Sequence, residues 1–108
     1  MEIKFPILGR IIYFNQFSAP ETWNPNNEYI DVFFQSVAIY LNEVFKVQGY
    51  LSWETLCRTL GITTNADEIE QVAVLRKEDC PNGFDLVHKF DANNHEWVLH
   101  VERRNDND

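Results

Sequence analysis

Apolar residues along this chain follow two different periods. Between Glu28 and Gln48 the period is helical. Tyr29, Ile30, Phe33, Phe34, Val37, Tyr40, Leu41, Val44, Phe45 and Val47 cover about half of a helical circumference, and Asp31, Gln35, Asn42, Glu43 and Lys46 gather in one narrow sector. So broad an apolar arc predicts a long central helix wrapped by its own domain on two sides. Asn27 is the expected N-cap, Glu28 and Asp31 suit the positive N-terminal end, and Gly49 marks the stop. A membrane span would need roughly 20 consecutive apolar residues, and the five polar ones break the run, so no membrane association is expected.

A second helical run follows. Trp53, Leu56, Cys57 and Leu60 fall on one face, with Ser52 as N-cap and Gly61 as the residue that ends it. Thr64-Asn65 would cap a further turn, Ala66 to Glu70. A DNA-reading helix-turn-helix is the sharper interpretation of the pair, but its second helix would present only Glu54 and a single Arg58, poor equipment for phosphate contacts.

Elsewhere the period is two. Ile3, Phe5 and Ile7 suit a first strand, placed at a sheet edge by Pro6, and Ile11 to Phe14 a second. Asn15 to Asn27 is an irregular loop that Phe17 and Trp23 would pin to the core. After Gln71 three strands are expected, Val72 to Lys77, Phe84 to Phe90 and Glu96 to Glu102, joined by turn-rich connectors into an antiparallel meander. Joining Lys77 to Phe84 and Phe90 to His95 puts Ala73, Leu75, Phe84, Leu86, Phe90, Trp97, Leu99 and Val101 on the core face. It sets Val74, Val87 and Val98 in one row on the other face, with Arg76 opposite Asp85, Asp85 opposite His100, and Lys89 opposite Glu96. A turn centred on Asn93-Asn94 would shift the last pairing by two, keeping the faces and losing the charge matches. The fold expected is α+β: a long central helix and a short one packed on an antiparallel sheet, with the N-terminal strands beside it. It forms a single domain over residues 1–102, followed by a polar tail, 103–108, expected to be disordered.

Composition supports one globular domain: 108 residues with eight Phe, four Tyr and three Trp. Charge adds a constraint on partners. Seventeen acids against nine bases give a net charge of −8, and the bases do not cluster, so direct nucleic-acid binding is not expected. Glu2, Pro6, Gly9 and Arg10 interrupt the N-terminal apolar run too early for a signal peptide, so a cytoplasmic protein is expected, in which Cys57 and Cys80 are free thiols.

Chemistry-bearing constellations are sparse. His88 is expected on the core face beside Trp97; His95 and His100 differ by an odd number on one strand and cannot share a metal. Cys57 sits on an apolar helical face. Cys80 falls in an exposed-looking turn beside Glu78 and Asp79, whose charges disfavour a thiolate. The sequence lacks a metal-ligand motif, a phosphate loop and a nucleophile motif, so no catalytic residue, metal or cofactor is expected. Two surface features remain as candidate partner-binding sites: an acidic patch of Asp67, Glu68, Glu70, Glu78 and Asp79, and the Val74, Val87, Val98 row.

The segment YLNEVFKVQGYLSWETLCRTLGI, Tyr40 to Ile62, resembles a pattern in small uncharacterised accessory proteins of Gram-positive phages and mobile elements. There a helix ending in LNEV, a Gly-Tyr turn, a short helix and Leu-Gly precede a β-rich half. The motif is one of packing and transfers no site residue. The resemblance implies an accessory protein and says nothing about mechanism; with the negative charge and the lack of a catalytic constellation, the expectation is a protein, not an enzyme, that acts in the host cell by protein–protein binding. The partner expected is a host protein, such as a nucleic-acid-handling defence enzyme that an anti-CRISPR or anti-restriction inhibitor would block, in one form as a nucleic-acid mimic. The alternative is a self-associating component of a phage particle, and the oligomeric state stays open.

Overall fold

The computed structural model describes residues 6–64, 72 and 74–104. Its centre is α1, Asn27–Gln48, capped by the residue before the expected one. Asn26 Oδ1 accepts from the Glu28 and Tyr29 N–H groups, and Gly49, at φ 82°, closes the other end. Ile30, Phe34, Val37, Leu41 and Phe45 are buried. Tyr29, Tyr40 and Val47 are exposed, so the helix is covered on one side and not on two. No helix among the described residues is long and apolar enough to cross a membrane.

The covered side rests on a three-stranded antiparallel sheet of β1 (Ile12–Phe14), β4 (Phe84–Asp91) and β5 (Glu96–Arg103), in the order β1-β5-β4. Two shorter strands, β2 (Tyr50–Leu51) and β3 (Leu75–Arg76), pair with each other instead. With α2, Trp53–Leu60, capped by Ser52 and Gly61 as expected, this is an α+β fold. Phe34 seats the helix: its ring stands edge-on to Phe14 at 5.0 Å and to Trp97 at 5.4 Å. The buried set includes Leu75, Phe84, Leu86, Trp97, Leu99 and Val101 of the expected core face; Phe90 is partly buried, and Ala73 lies outside the described residues.

The meander is broken at its first strand. Two Asn42 side-chain bonds from α1 occupy the edge of Phe84: its N–H donates to Asn42 Oδ1 (3.1 Å), and Asn42 Nδ2 donates to its carbonyl (2.9 Å). A strand joined there would need both groups. The chain before Cys80 finds its partner instead in the extended residues between the helices. Tyr50 pairs with Arg76 and Leu51 with Leu75, and Lys77 N–H adds a bond to the Gly49 carbonyl.

The β4–β5 register is the one centred on Asn93-Asn94. Val87 lies opposite His100, Lys89 opposite Val98 and Asp85 opposite Glu102, and pairing ends at Asp91 and Glu96. The charge-matched register is not formed, and the reason is turn chemistry. Asp91 Oδ1 accepts the Asn93 N–H, its Oδ2 accepts from Asn94 Nδ2, and His95 takes the left-handed φ of 51°. Exposed cross-strand charge pairs, worth roughly 0.2–1 kcal/mol each, do not outweigh that turn. Because the shift is even, both faces survive it.

Of the two residues expected to pin the loop before α1, Trp23 does so and Phe17 does not. Phe17 is 83% exposed, whereas Ala19 is buried and Trp23 packs on the core. Thr22 Oγ1 donates to the Leu60 carbonyl (2.7 Å), and Thr63 N–H donates to that of Ser18. Arg103 ends β5, and Arg104 donates to Asp85 and to the Phe84 carbonyl, so order extends past Glu102. The expected strand at Ile3 to Ile7 and the turn from Ala66 to Glu70 fall mainly or wholly outside the described residues. Leu8 forms a parallel bridge to Val101.

Cys80 corrects the reading of its turn: it is fully buried, as Cys57 nearly is, and neither is in a disulfide. Burial first, then the neighbouring Asp79 carboxylate, raises its pKa above the ordinary thiol value, with Arg103 opposing. Native alkylation followed by mass spectrometry should therefore label neither thiol readily, and both after unfolding; fast labelling of Cys80 would contradict its burial.

Leu99 is fully buried in the central strand, while Lys89 is on the exposed face. Urea unfolding should give a loss of about 2–5 kcal/mol for Leu99→Ala, which leaves a cavity, and under ~1 kcal/mol for Lys89→Ala. The Asn94 side chain, followed by the Asn93 and Asn94 N–H groups, holds the Asp91 carboxyl below the usual carboxylate range. A lowered folded value means that the contribution of the turn is present above the unfolded pKa and is lost as pH falls through the folded one. In an NMR titration the Asn93 and Asn94 amides should shift at lower pH than an ordinary aspartate titrates; a midpoint at the ordinary value would separate the turn from Asp91.

Candidate functional site

Among the described residues, no helix covers the side of the sheet away from α1. Strand alternation sends Ile12, Phe14, Leu86, Trp97, Leu99 and Val101 inward. It therefore sends Ile11, Tyr13, Val87, Lys89, Val98 and His100 outward. Ile11 is 48% and Tyr13 56% exposed, and Val87, Val98 and His100 are half-buried against one another. The pairings order this face into rows. Tyr13 faces Val98, which faces Lys89, and Val87 faces His100 on the next rung. An apolar band thus crosses all three strands.

Carboxylates close both ends of the band. Asp85 lies directly opposite Glu102, and Asp91 opposite Glu96. Like charges in such positions repel, and neighbours relieve each pair. Arg104 places two N–H donors on Asp85 Oδ1, at 2.8 and 3.2 Å. Asn93 and Asn94 bond Asp91, and Asn15 Nδ2 reaches Glu96 Oε1 at 3.5 Å. Two shallow hollows flank His100. One, about 570 Å³, lies between Val87, Val98, Phe90 and the Asp91–Asn93 turn; the other, about 600 Å³, between Ile11, Leu8, Gly9 and Glu102.

Of the expected site residues, Val87 and Val98 lie on this face as neighbours on adjacent strands, diagonal and not in one row. Val74 does not join them, because it precedes β3, which pairs away from the sheet. Glu78 and Asp79 are exposed in the turn after β3, and Asp79 Oδ2 accepts the Arg76 N–H at 3.1 Å, so one of its oxygens serves the turn. Asp67, Glu68 and Glu70 lie outside the described residues. Among the described residues, strand pairing does not set Val74 beside Val87 and Val98. The acids that frame the band are Asp85, Asp91, Glu96 and Glu102. Ile11 and Tyr13 were missed as members, though the alternation of Ile11-Ile12-Tyr13-Phe14 contained the signal.

His88 lies on the core side as expected, 5.5 Å from Trp97 and 5.1 Å from Phe34 between ring centres. Its Nε2 meets Asp31 Oδ1 at 2.6 Å, and its buried Nδ1 has no hydrogen-bond partner. With one nitrogen spent on the helix and the other enclosed, the pair ties α1 to β4. Among the described residues, no group of three or more His, Cys, Asp or Glu side chains is placed to hold a metal ion. Comparisons with protein-family models, with curated proteins and with solved structures found no match to this chain.

Proposed function

We propose that this chain is a mobile-element accessory protein that binds a host protein through the open face of its sheet. The observation that carries the reading is the apolar band of Ile11, Tyr13, Val87 and Val98 lying uncovered between two acid pairs. An apolar centre with a polar rim is the usual anatomy of a protein interface, and a tyrosine is a common anchor there. The net charge of −8 selects a basic partner surface. A host enzyme that handles nucleic acid presents such a surface, with Lys and Arg side chains that Asp85, Asp91, Glu96 and Glu102 would meet in place of phosphates. The resemblance of the Tyr40–Ile62 segment to phage and mobile-element proteins supports the same class of partner.

The test is capture of a nucleic-acid enzyme from bacterial lysate, followed by competition with its own DNA or RNA. Tyr13→Lys with Val98→Lys should lower affinity at least tenfold while leaving thermal stability nearly unchanged, as surface substitutions do. Glu96→Lys with Glu102→Lys should weaken binding most at low salt. Binding that survives both pairs of changes, or a partner that holds its nucleic acid and this protein together without competition, overturns the reading.

A further inference from the structure

The sheet has two edges, and they differ. At the β1 edge the strand is only three residues long. At the β4 edge an eight-residue strand, Phe84–Asp91, has β5 on one side and, among the described residues, no strand on the other. Asn42 bonds to the outward N–H and carbonyl of Phe84, which fixes the parity of the edge: Leu86, His88 and Phe90 also direct their backbone groups outward. Those groups have no hydrogen-bond partner among the described residues. Such an edge is a template for one more strand.

The sequence along it is self-complementary. Read from Phe84 to Phe90 it is F-D-L-V-H-K-F, centred on Val87. Laid antiparallel on a copy of itself about a two-fold axis at Val87, Asp85 falls opposite Lys89 of the copy, Lys89 opposite Asp85, and Val87 opposite Val87. Leu86 and His88 then exchange main-chain hydrogen bonds with His88 and Leu86. Both charge pairs are of opposite sign, and both flank the apolar centre on the open face. Shifting the pairing to centre on His88 would place Asp85 opposite Asp91, two like charges. The charge pattern therefore selects one register.

We infer that the protein forms a symmetric dimer through β4, making one six-stranded sheet from two three-stranded ones. The occupant of this edge is a second copy, because a two-fold axis at Val87 satisfies both charge positions with the strand's own residues. Asp85 meets Arg104 through Oδ1, which leaves Oδ2 for Lys89 of the copy. Asn42 remains on Phe84 and limits the pairing to the stretch beyond it. The contact is short, so the dimer is reversible and depends on concentration. It joins the two open faces across the axis, with the two Val87 residues meeting on it and His100 of each copy one strand behind. The inference does not depend on a host partner, since either could exist without the other.

Sedimentation of the full chain over a concentration series tests it, with circular dichroism as the control for folding. A monomer–dimer equilibrium is expected. Lys89→Glu, which sets like charges opposite each other at both ends, should weaken it at least tenfold with an unchanged spectrum. Val87→Cys supplies a readout that does not depend on affinity. The two introduced thiols would meet on the axis and form a disulfide-linked dimer under mild oxidation, whereas the unsubstituted chain, whose two cysteines are buried, would not. A chain that stays monomeric at every concentration overturns the inference, and so does a dimer that is indifferent to Lys89→Glu and gives no crosslink through residue 87.

Discussion

Much of this structure depends on one side chain of α1 reading the backbone of one residue of β4. Asn42 accepts the Phe84 N–H, donates to the Phe84 carbonyl, and donates also to the Ala38 carbonyl of its own helix. An amide carries its acceptor and its donor on two separate atoms, and so can meet both groups of an extended residue at once. Here it acts as a strand would, one residue wide. It fixes where along β4 the helix lies, and Phe34 then falls among Phe14, Trp97 and His88, with Asp31 within reach of His88. It also requires the residue before Phe84 to be glycine. Gly83 has φ 90°, and a Cβ there would stand 2.8 Å from Asn42 Oδ1.

The same contact explains what could and could not be read from the sequence. Both helices were legible because their signals are local: the spacing of Trp53, Leu56, Cys57 and Leu60, the Ser52 cap, and a glycine at the C-terminal end of each helix. The two faces of β4 and β5 were legible too, since alternation survives any even shift in register. Strand partners were not, because pairing is decided by what competes for an edge. Nothing near Arg76 announces that Asn42, more than 30 positions earlier, already occupies Phe84. Cys80 was misread for a related reason. Its neighbours Glu78, Asp79, Pro81 and Asn82 are all exposed, and a lone inward residue in a polar turn has no period to reveal it.

The candidate surface was legible in part. Val87 and Val98 follow from alternation within long strands. Ile11 and Tyr13 belong to a run of four apolar residues, in which either alternate pair could face inward until the partner strand is known. Pairing of Ile12 with Leu99 and Phe14 with Trp97 decides it. The acidic patch was inferred from neighbours in sequence, and the acids that frame the apolar band come from opposite ends of two paired strands.

One helix layer on a sheet leaves the other face to water, and the usual solution is polar residues there. This sheet departs from that solution in two ways that both oppose its own stability. Ile11, Tyr13, Val87 and Val98 keep apolar area in solvent, where each Å² covered would contribute on the order of 25 cal/mol. Asp85 and Glu102, and Asp91 and Glu96, set like charges opposite each other at both ends of the same strand pair, and Arg104, Asn93, Asn94 and Asn15 are engaged in relieving them. Neither feature is explained by packing inside the molecule: the core is complete on the α1 side without them. Both are explained if the face is completed by a second surface. An apolar strip needs cover, and carboxylates held apart at its ends need cations that the chain supplies only sparsely. A surface apolar along the middle and basic at both ends would relieve both departures at once.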